Sequence, residues 1–101
     1  MNKSKRVLII EDDPEISKLL SLIITKSDNT PTVAYSGTEG LLQLQSNTYD
    51  LILLDLMLPG INGEELLKLV RKESTIPIIV ISARVNIDDK VQVLKMGQMI
   101  I

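Results

Sequence analysis

Residues Leu51-Ile52-Leu53-Leu54 form an uninterrupted apolar run that stops at Asp55. A run of this kind is typical of a strand buried on both faces, as in a parallel sheet. A carboxylate inside such a strand would be costly to desolvate, so Asp55 is expected at its carboxyl end. Open α/β sheets place their chemistry at that edge. Asp55 is therefore a candidate site residue, although an acid that merely begins a loop would give the same pattern.

Size and composition indicate one small globular domain. The chain has 101 residues, of which 45% are hydrophobic and 24% are charged. Histidine and cysteine are absent, which excludes histidine-based catalysis, thiol chemistry, disulfides and the usual zinc sites. Any metal would need oxygen ligands, as Mg²⁺, Ca²⁺ and Mn²⁺ do.

Charge and hydropathy narrow the expected location and partners. The net charge of −2 gives no reason to expect nucleic-acid binding by this segment. No apolar run reaches the length of a membrane span, and the basic start is not followed by a secretory signal. A cytoplasmic protein is expected.

Strand-like and helix-like segments alternate along the chain. Apolar runs predict strands at 7–10, 32–35, 51–54 and 78–81. Capping residues and helical periodicity predict three helices after Asp13, Ser36 and Asn62, and a fourth near 87–96. The expected apolar faces are Ile16, Leu19, Leu20, Ile23 and Ile24 on the first helix, and Leu66, Leu67 and Val70 on the third. This alternation predicts an α/β fold, a doubly wound parallel sheet with helices on both faces.

Polar residues follow three of these strands: Glu11-Asp12-Asp13 the first, Asp55 the third and Ser82 the fourth. If the first strand lies between the second and third, Glu11, Asp12 and Asp55 converge at one edge. Carboxylates at such range repel one another, and a hard cation such as Mg²⁺ relieves the repulsion. Such a cation also invites a phosphoryl group, with Asp55 as the most central nucleophile. The plainer alternative is that residues 11–13 only begin and cap a helix.

Three segments together resemble response-regulator receiver domains, most closely the receivers of winged-helix transcription factors. They are Lys5–Asp13, Asp50–Gly63 and Ile76–Arg84. The resemblance extends to Gly97. It implies a flavodoxin-like sheet with strand order 2-1-3-4-5 in a single domain, residues 1–101.

The resemblance also implies a role for each strand-end residue. Asp55 would accept a phosphoryl group from a sensor histidine kinase, as a switch in two-component signalling and transcription regulation. Mg²⁺ would be held directly by Asp12, through water by Glu11, and by Asp55 and the backbone carbonyl of Met57. Ser82 would hydrogen-bond a phosphoryl oxygen and move toward it on activation. Such a domain is not an enzyme but an acceptor that assists its own phosphorylation and dephosphorylation.

The sequence departs from the family after the predicted fourth helix. Family members continue with a fifth strand, a lysine–proline pair and a fifth helix. Here the chain reads Lys95-Met96-Gly97-Gln98-Met99-Ile100-Ile101, which predicts a truncated fifth strand and no fifth helix. Neither Lys90 nor Lys95 can be assigned the role of the family lysine. The fourth strand and fourth helix would then be uncovered, which predicts marginal stability, a homodimer or an exchange of segments through that side.

Other functions remain open at this point. A receiver that cannot be phosphorylated would serve as a protein-binding or dimerisation module. A haloacid-type phosphohydrolase would need a second Asp two residues after Asp55, where this chain has Met57. A flavin-binding module would need a Ser-, Thr- and Gly-rich phosphate loop, where this chain has Glu11-Asp12-Asp13.

Overall fold

A computed structural model describes residues 4–55, 63–81 and 99–100. Within them the elements are β1 (Arg6–Ile10), α1 (Pro14–Lys26), β2 (Thr30–Ala34), α2 (Gly37–Ser46), β3 (Leu51–Leu54), α3 (Gly63–Glu73), β4 (Ile78–Val80) and β5 (Met99–Ile100). All strand pairs are parallel, in the order β2-β1-β3-β4-β5. The predicted doubly wound sheet and its strand order are confirmed. The predicted fourth helix lies outside the described residues.

The central position of β1 sets the geometry of the sheet's carboxyl edge. Ile10, its last residue, is level with Ala34 of β2 and Leu54 of β3. At the opposite end, the Arg6 amide donates to the Asp50 carboxylate at 2.8 Å, and the Asp50 amide donates to the Arg6 carbonyl at 2.8 Å. This reciprocal pair fixes the register, so the residues that follow Ile10 and Leu54 leave the sheet side by side.

Alternating side chains divide the core into two layers. On the side covered by α2 and α3, one layer contains Leu8, Ile10, Ile52, Leu54, Ile78 and Val80, with the predicted face of α3, Leu66, Leu67 and Val70. On the side covered by α1, Val7, Ile9 and Leu53 pack with Leu20, Ile24, Val33, Leu51, Ile79 and Ile81. Burial on both faces explains why β1 and β3 are continuous apolar runs. No helix among the described residues is long and apolar enough to cross a bilayer.

The rotation of α1 differs from the sequence prediction. Leu20 and Ile24 pack on the sheet as expected, but Ile16, Leu19 and Ile23 are 42%, 57% and 51% exposed. Ser17 is buried in their place, at 1% exposure. Its hydroxyl donates to the Pro14 carbonyl at 3.1 Å, so burial leaves no hydroxyl unpaired. The prediction for Ile16, Leu19 and Ile23 was therefore wrong, because α1 has more apolar positions than the sheet covers.

At the edge strand β2, a proline and the start of α2 reduce the number of backbone amides that are free to bind another strand. The Thr30 amide donates at 2.8 Å to the carbonyl of Lys5, the residue before β1, so the nitrogen of the next residue, Pro31, faces the open side. Two residues of the predicted capping box then act separately. The Ser36 hydroxyl accepts the Glu39 amide at 3.1 Å, but the Glu39 carboxylate accepts from Tyr35 at 2.6 Å rather than from Ser36.

Helix α2 lies unusually close to β1 at one point. A Cβ added at Gly40 would lie 2.6 Å from Cδ1 of Ile10, a distance that side chains do not adopt. Glycine at this position lets the helix backbone approach the last residue of β1.

Candidate metal centre

Backbone hydrogen bonds continue the sheet one residue beyond its strands and so position the site. The Glu11 amide donates to the Ala34 carbonyl, and the Asp55 amide donates to the Ile10 carbonyl, both at 3.0 Å. Glu11 and Asp55 are therefore held by the sheet rather than by a loose loop. Their side chains begin from neighbouring, level points at its carboxyl edge.

Three carboxylates converge at this edge. Glu11, Asp12 and Asp55 each offer an oxygen, and these oxygens all lie within 4.8 Å of one another. Glu11 is buried, at 4% exposure, whereas Asp55 is half-buried and Asp12 is exposed. The cluster is thus shielded from solvent at Glu11 and accessible to solvent at Asp12. Its three carboxylates suit a hard divalent cation. All three residues were singled out from the sequence, whereas Met57 and Ser82 lie outside the described residues.

Asp13, the third acid of the run, has a different role: it caps helix α1. Its side chain accepts the amides of Glu15 at 2.9 Å and Ile16 at 3.3 Å, which makes it the N-cap of α1, as predicted. Its own amide donates to the Glu11 carboxylate at 3.4 Å. The helix-cap interpretation of the acidic run is therefore confirmed for Asp13, which also links the helix to the site.

The electrostatics of the cluster centre on Glu11. Burial, followed by a hydrogen bond to Asp55 and the negative charge of Asp55, raises the pKa of Glu11 from 4.5 to about 8. Near neutral pH the uncharged acid can donate its proton to the Asp55 carboxylate. A divalent cation could replace that proton, since it compensates both carboxylates at once. The residues present therefore fit a cation that binds in competition with a proton.

The raised pKa of Glu11 predicts how stability depends on pH. Its pKa is higher folded than unfolded, so the favourable contribution is complete below about pH 4.5. That contribution is lost as the pH rises toward about 8, because only the unfolded chain ionises freely. In metal-free buffer, Glu11→Gln should be more stable than wild type at pH 8 by about 1–3 kcal/mol. Urea unfolding of both proteins from pH 4.5 to 8 measures this, and parallel pH curves would contradict it.

A groove among the described residues lies away from the carboxylate cluster. It has a volume of about 380 Å³ and runs between α2 and α3 at the amino-terminal end of β3, lined by Leu41, Leu44, Tyr49, Leu69 and other residues. None of its lining residues is acidic. It therefore lacks the carboxylates that the cluster at the opposite edge of the sheet offers to a hard cation.

Comparisons with known sequences agree with this geometry. The pattern of the response regulator receiver domain matches residues 7–101. Similar curated proteins include response regulator ArlR of Staphylococcus haemolyticus, which is 44% identical over 91 residues, covering 90% of this chain and 42% of the relative. Response regulator ArlR of Staphylococcus aureus strain Mu50 is 40% identical over 92 residues, covering 91% and 42%. The chain thus spans less than half the length of these relatives.

Solved structures show the same architecture. The receiver domain of Francisella response regulator 1452 superposes with a TM-score of 0.86 at 33% identity, covering 94% of this chain and 79% of that one. The BeF3-activated N-terminal receiver domain of Klebsiella pneumoniae RstA gives 0.87 at 28% identity, covering 94% and 81%. A response regulator receiver protein from Pseudomonas putida gives a TM-score of 0.91 at 21% identity, covering 99% of this chain and 85% of that one. This similarity shows the fold alone.

Proposed function

Because this chain belongs to the response regulator receiver domain family, we propose that it is a phosphoacceptor whose Asp55 carboxylate takes a phosphoryl group with the help of Mg²⁺. The observation that carries the proposal is the convergence of Glu11, Asp12 and Asp55 oxygens within 4.8 Å at the sheet's carboxyl edge. Asp55 is the proposed nucleophile because it is half-buried: it is more accessible than Glu11, which is buried, and less exposed than Asp12.

The proposed transfer is a displacement at phosphorus. One Asp55 oxygen forms a bond to phosphorus while the bond from phosphorus to the donor breaks, and the leaving group takes a proton from solvent. Asp12 and Glu11 would hold the cation beside Asp55. Bound Mg²⁺ would neutralise the charge of the pocket and of the phosphoryl oxygens. Glu11 gives up its proton when the cation binds, so metal affinity should rise toward pH 8.

Two further roles come from the family resemblance alone. The backbone carbonyl of Met57 is proposed as an additional Mg²⁺ ligand, and the hydroxyl of Ser82 as a hydrogen-bond donor to the phosphoryl group. Both residues follow strands whose described parts end at this same edge, β3 and β4. That placement supports the assignment.

The proposed partners are inferred from the class of protein to which the relatives belong. The similar curated proteins are response regulators, and we propose a sensor histidine kinase as the phosphodonor, in the cytoplasm, with the domain serving as an acceptor rather than an enzyme. A role in transcription would belong to a longer protein, since the chain spans 42% of these relatives. With a net charge of −2, the segment itself is not proposed to bind nucleic acid.

The direct test is incubation with an acyl phosphate and Mg²⁺, followed by intact-mass spectrometry. We expect a fraction of the wild-type chain to gain the mass of one phosphoryl group, and chelation of the metal to prevent it. Absence of any adduct under these conditions would favour the alternative, a receiver that acts only as a protein-binding module. The exposed apolar residues of α1 are the observation that favours this second candidate.

Binding of the cation alone is a separate prediction. At a Mg²⁺ concentration of about 100 times its dissociation constant, wild type should gain about 2.7 kcal/mol of stability. Asp12→Asn should lose most of that gain because it removes an exposed carboxylate of the cluster. Thermal unfolding with and without MgCl₂, together with calorimetric titration, measures the effect.

Asp13→Asn is the matched control for Asp12→Asn. It removes one carboxylate from the adjacent position, but asparagine caps a helix about as well as aspartate does. The stabilisation by Mg²⁺ should therefore persist in Asp13→Asn. Equal losses in the two variants would mean that net charge, rather than the cluster, attracts the cation.

A further inference from the structure

The peptide group between Ile10 and Glu11 connects both of the sheet-anchored acids. Its N–H, that of Glu11, donates to the Ala34 carbonyl of β2 at 3.0 Å. Its C=O, that of Ile10, accepts the Asp55 amide at 3.0 Å. We call this unit the 10–11 peptide group. Because Glu11 and Asp55 supply two of the three carboxylates of the cluster, a displacement of this one group would move both of them.

Helix α2 contacts the side chain next to this peptide group at Gly40. A Cβ added at Gly40 would lie 2.6 Å from Cδ1, 3.0 Å from Cγ1 and 3.4 Å from Cγ2 of Ile10. Ile10 is fully buried in a close-packed layer, which leaves little space for another rotamer. Rotation of Cδ1 alone would leave Cγ1 in place, and branching at Cβ makes that part of the side chain stiff. A side chain at position 40 must therefore displace either α2 or Ile10.

The first turn of α2 is anchored close to Gly40. Only residues 35 and 36 connect β2 to the helix. The Ser36 carbonyl accepts the Gly40 amide at 3.0 Å, and the Ser36 hydroxyl accepts the Glu39 amide at 3.1 Å. The Glu39 carboxylate in turn accepts the Tyr35 amide at 2.6 Å. Since these bonds hold the start of α2 to the end of β2, the displacement falls on Ile10 and on the 10–11 peptide group.

We propose that Gly40 is a positioning residue for the cation site. Because Gly40 has no side chain, α2 contacts Ile10 closely and leaves the 10–11 peptide group where the three carboxylates converge. This role rests on the proposed binding of Mg²⁺ to the cluster. Gly40 lies on a different element from every carboxylate of the cluster and acts only through Ile10. Changes to groups that orient metal ligands typically lower metal affinity about 10–100-fold.

The first test measures Mg²⁺ affinity by calorimetric titration of the 101-residue chain. Gly40→Ala should raise the dissociation constant about tenfold or more, because the added methyl group displaces two ligand-bearing residues. Ile10→Val removes Cδ1, the atom that lies 2.6 Å from the added Cβ, and leaves contacts that need only a small adjustment. The double variant Ile10→Val/Gly40→Ala should therefore return to within about threefold of wild type.

Val70→Ala is the control for a loss of packing in general. Val70 lies on α3 and is 7% exposed, in the same layer as Ile10. Its truncation lowers stability but adds no atom against the 10–11 peptide group. Mg²⁺ affinity should stay within about threefold of wild type. A change in helix propensity alone would also leave the affinity intact, since alanine favours a helix more than glycine does.

The second test uses the metal-free protein. Amide hydrogen exchange, measured by NMR, reports directly on the two bonds of the 10–11 peptide group. The reference is the Ile52 amide, which donates to the Pro77 carbonyl at 3.0 Å toward the other end of the sheet. In Gly40→Ala, the Glu11 and Asp55 amides should exchange about tenfold faster relative to this reference. The double variant should restore the ratio, and Val70→Ala should leave it unchanged.

Two results would overturn the role of Gly40. They are an exchange ratio in Gly40→Ala equal to that of wild type, and a double variant no better than Gly40→Ala alone. Circular dichroism verifies that each variant is folded, as expected for the addition or removal of one to two methyl groups. If wild type bound no Mg²⁺, the proposed function would fail, whereas the exchange ratio would still support or overturn the positioning by Gly40. The two proposals can therefore be distinguished.

Discussion

Asp55→Asn should abolish the phosphoryl adduct that the wild-type chain forms with an acyl phosphate and Mg²⁺. An amide at this position is nearly the same size as the carboxylate but has no anionic oxygen to attack phosphorus. It also removes one of the three carboxylates within 4.8 Å of one another, so the cation is held less tightly. The expected result is complete loss of the adduct, measured by intact mass after matched incubations.

Asp50→Asn is the matched control for this experiment. Asp50 and Asp55 flank the same strand, β3, but at opposite ends. The Asp50 carboxylate accepts the Arg6 amide at 2.8 Å, and the side-chain oxygen of asparagine can accept it as well. The control should keep the adduct at the wild-type level. Persistence of the adduct in Asp55→Asn, with a phosphopeptide that maps to another residue, would refute the assignment of Asp55.

Leu54→Ala should produce a large loss of stability. Leu54 is 1% exposed and packs in the layer beneath α2 and α3. Removal of a buried leucine side chain costs about 2–5 kcal/mol, because apolar contacts are lost and a cavity is left. In a domain of this size the unfolding temperature should fall by about 10–30 °C. Urea or thermal unfolding, monitored by circular dichroism, measures the change.

Leu42→Ala provides the comparison for Leu54→Ala. Leu42 is 57% exposed, so its truncation should change stability by no more than about 0.5 kcal/mol. If Leu54→Ala were equally mild, the described burial of β3 would be wrong. At temperatures where Leu54→Ala stays folded, Asp55 should still be phosphorylated, because the variant changes the packing beneath the site and leaves its carboxylates in place.

The sheet and the acidic cluster could be predicted because each depends on a strong local pattern. In β3, four apolar residues followed by an acid predicted a buried strand with a carboxylate at its carboxyl end, and the structure has the strand at Leu51–Leu54. The apolar face of α3 was confirmed for the same reason: Leu66, Leu67 and Val70 form one stripe flanked by charged residues. In both cases a single arrangement buries the apolar residues.

The rotation of α1 could not be predicted because its pattern allows more than one solution. Leu20 and Ile24 belong to the stripe that includes Ile16, Leu19 and Ile23, and also to the stripe that includes Ser17. Periodicity favours the first stripe, since serine is polar. The second is adopted, and burial of Ser17 is tolerated because its hydroxyl donates to the Pro14 carbonyl at 3.1 Å. A count of apolar positions along the sequence does not predict such a local hydrogen bond.

The raised pKa of Glu11 was likewise beyond sequence reasoning. The repulsion among the carboxylates was expected, but not which of them is buried. Burial is the largest cause of the shift to about 8, and it depends on how β2, β1 and β3 close around the first residue after β1. Asp12, the next residue, is exposed. Neighbouring acids in one run therefore differ in accessibility because the chain turns between them.

The shortage of free backbone amides at the β2 edge has a consequence for aggregation. A sheet recruits a strand from another molecule through amides that point outward from its edge. At β2, Pro31 has no amide hydrogen to offer, and the amide of Tyr35, just past the strand, is already bound by the Glu39 carboxylate at 2.6 Å. Of the outward positions 31, 33 and 35, only Val33 then offers an amide, so this flank is a weaker template for fibril-like growth or for strand exchange between molecules. Restoring free amides at both positions would make the flank a better template for such association.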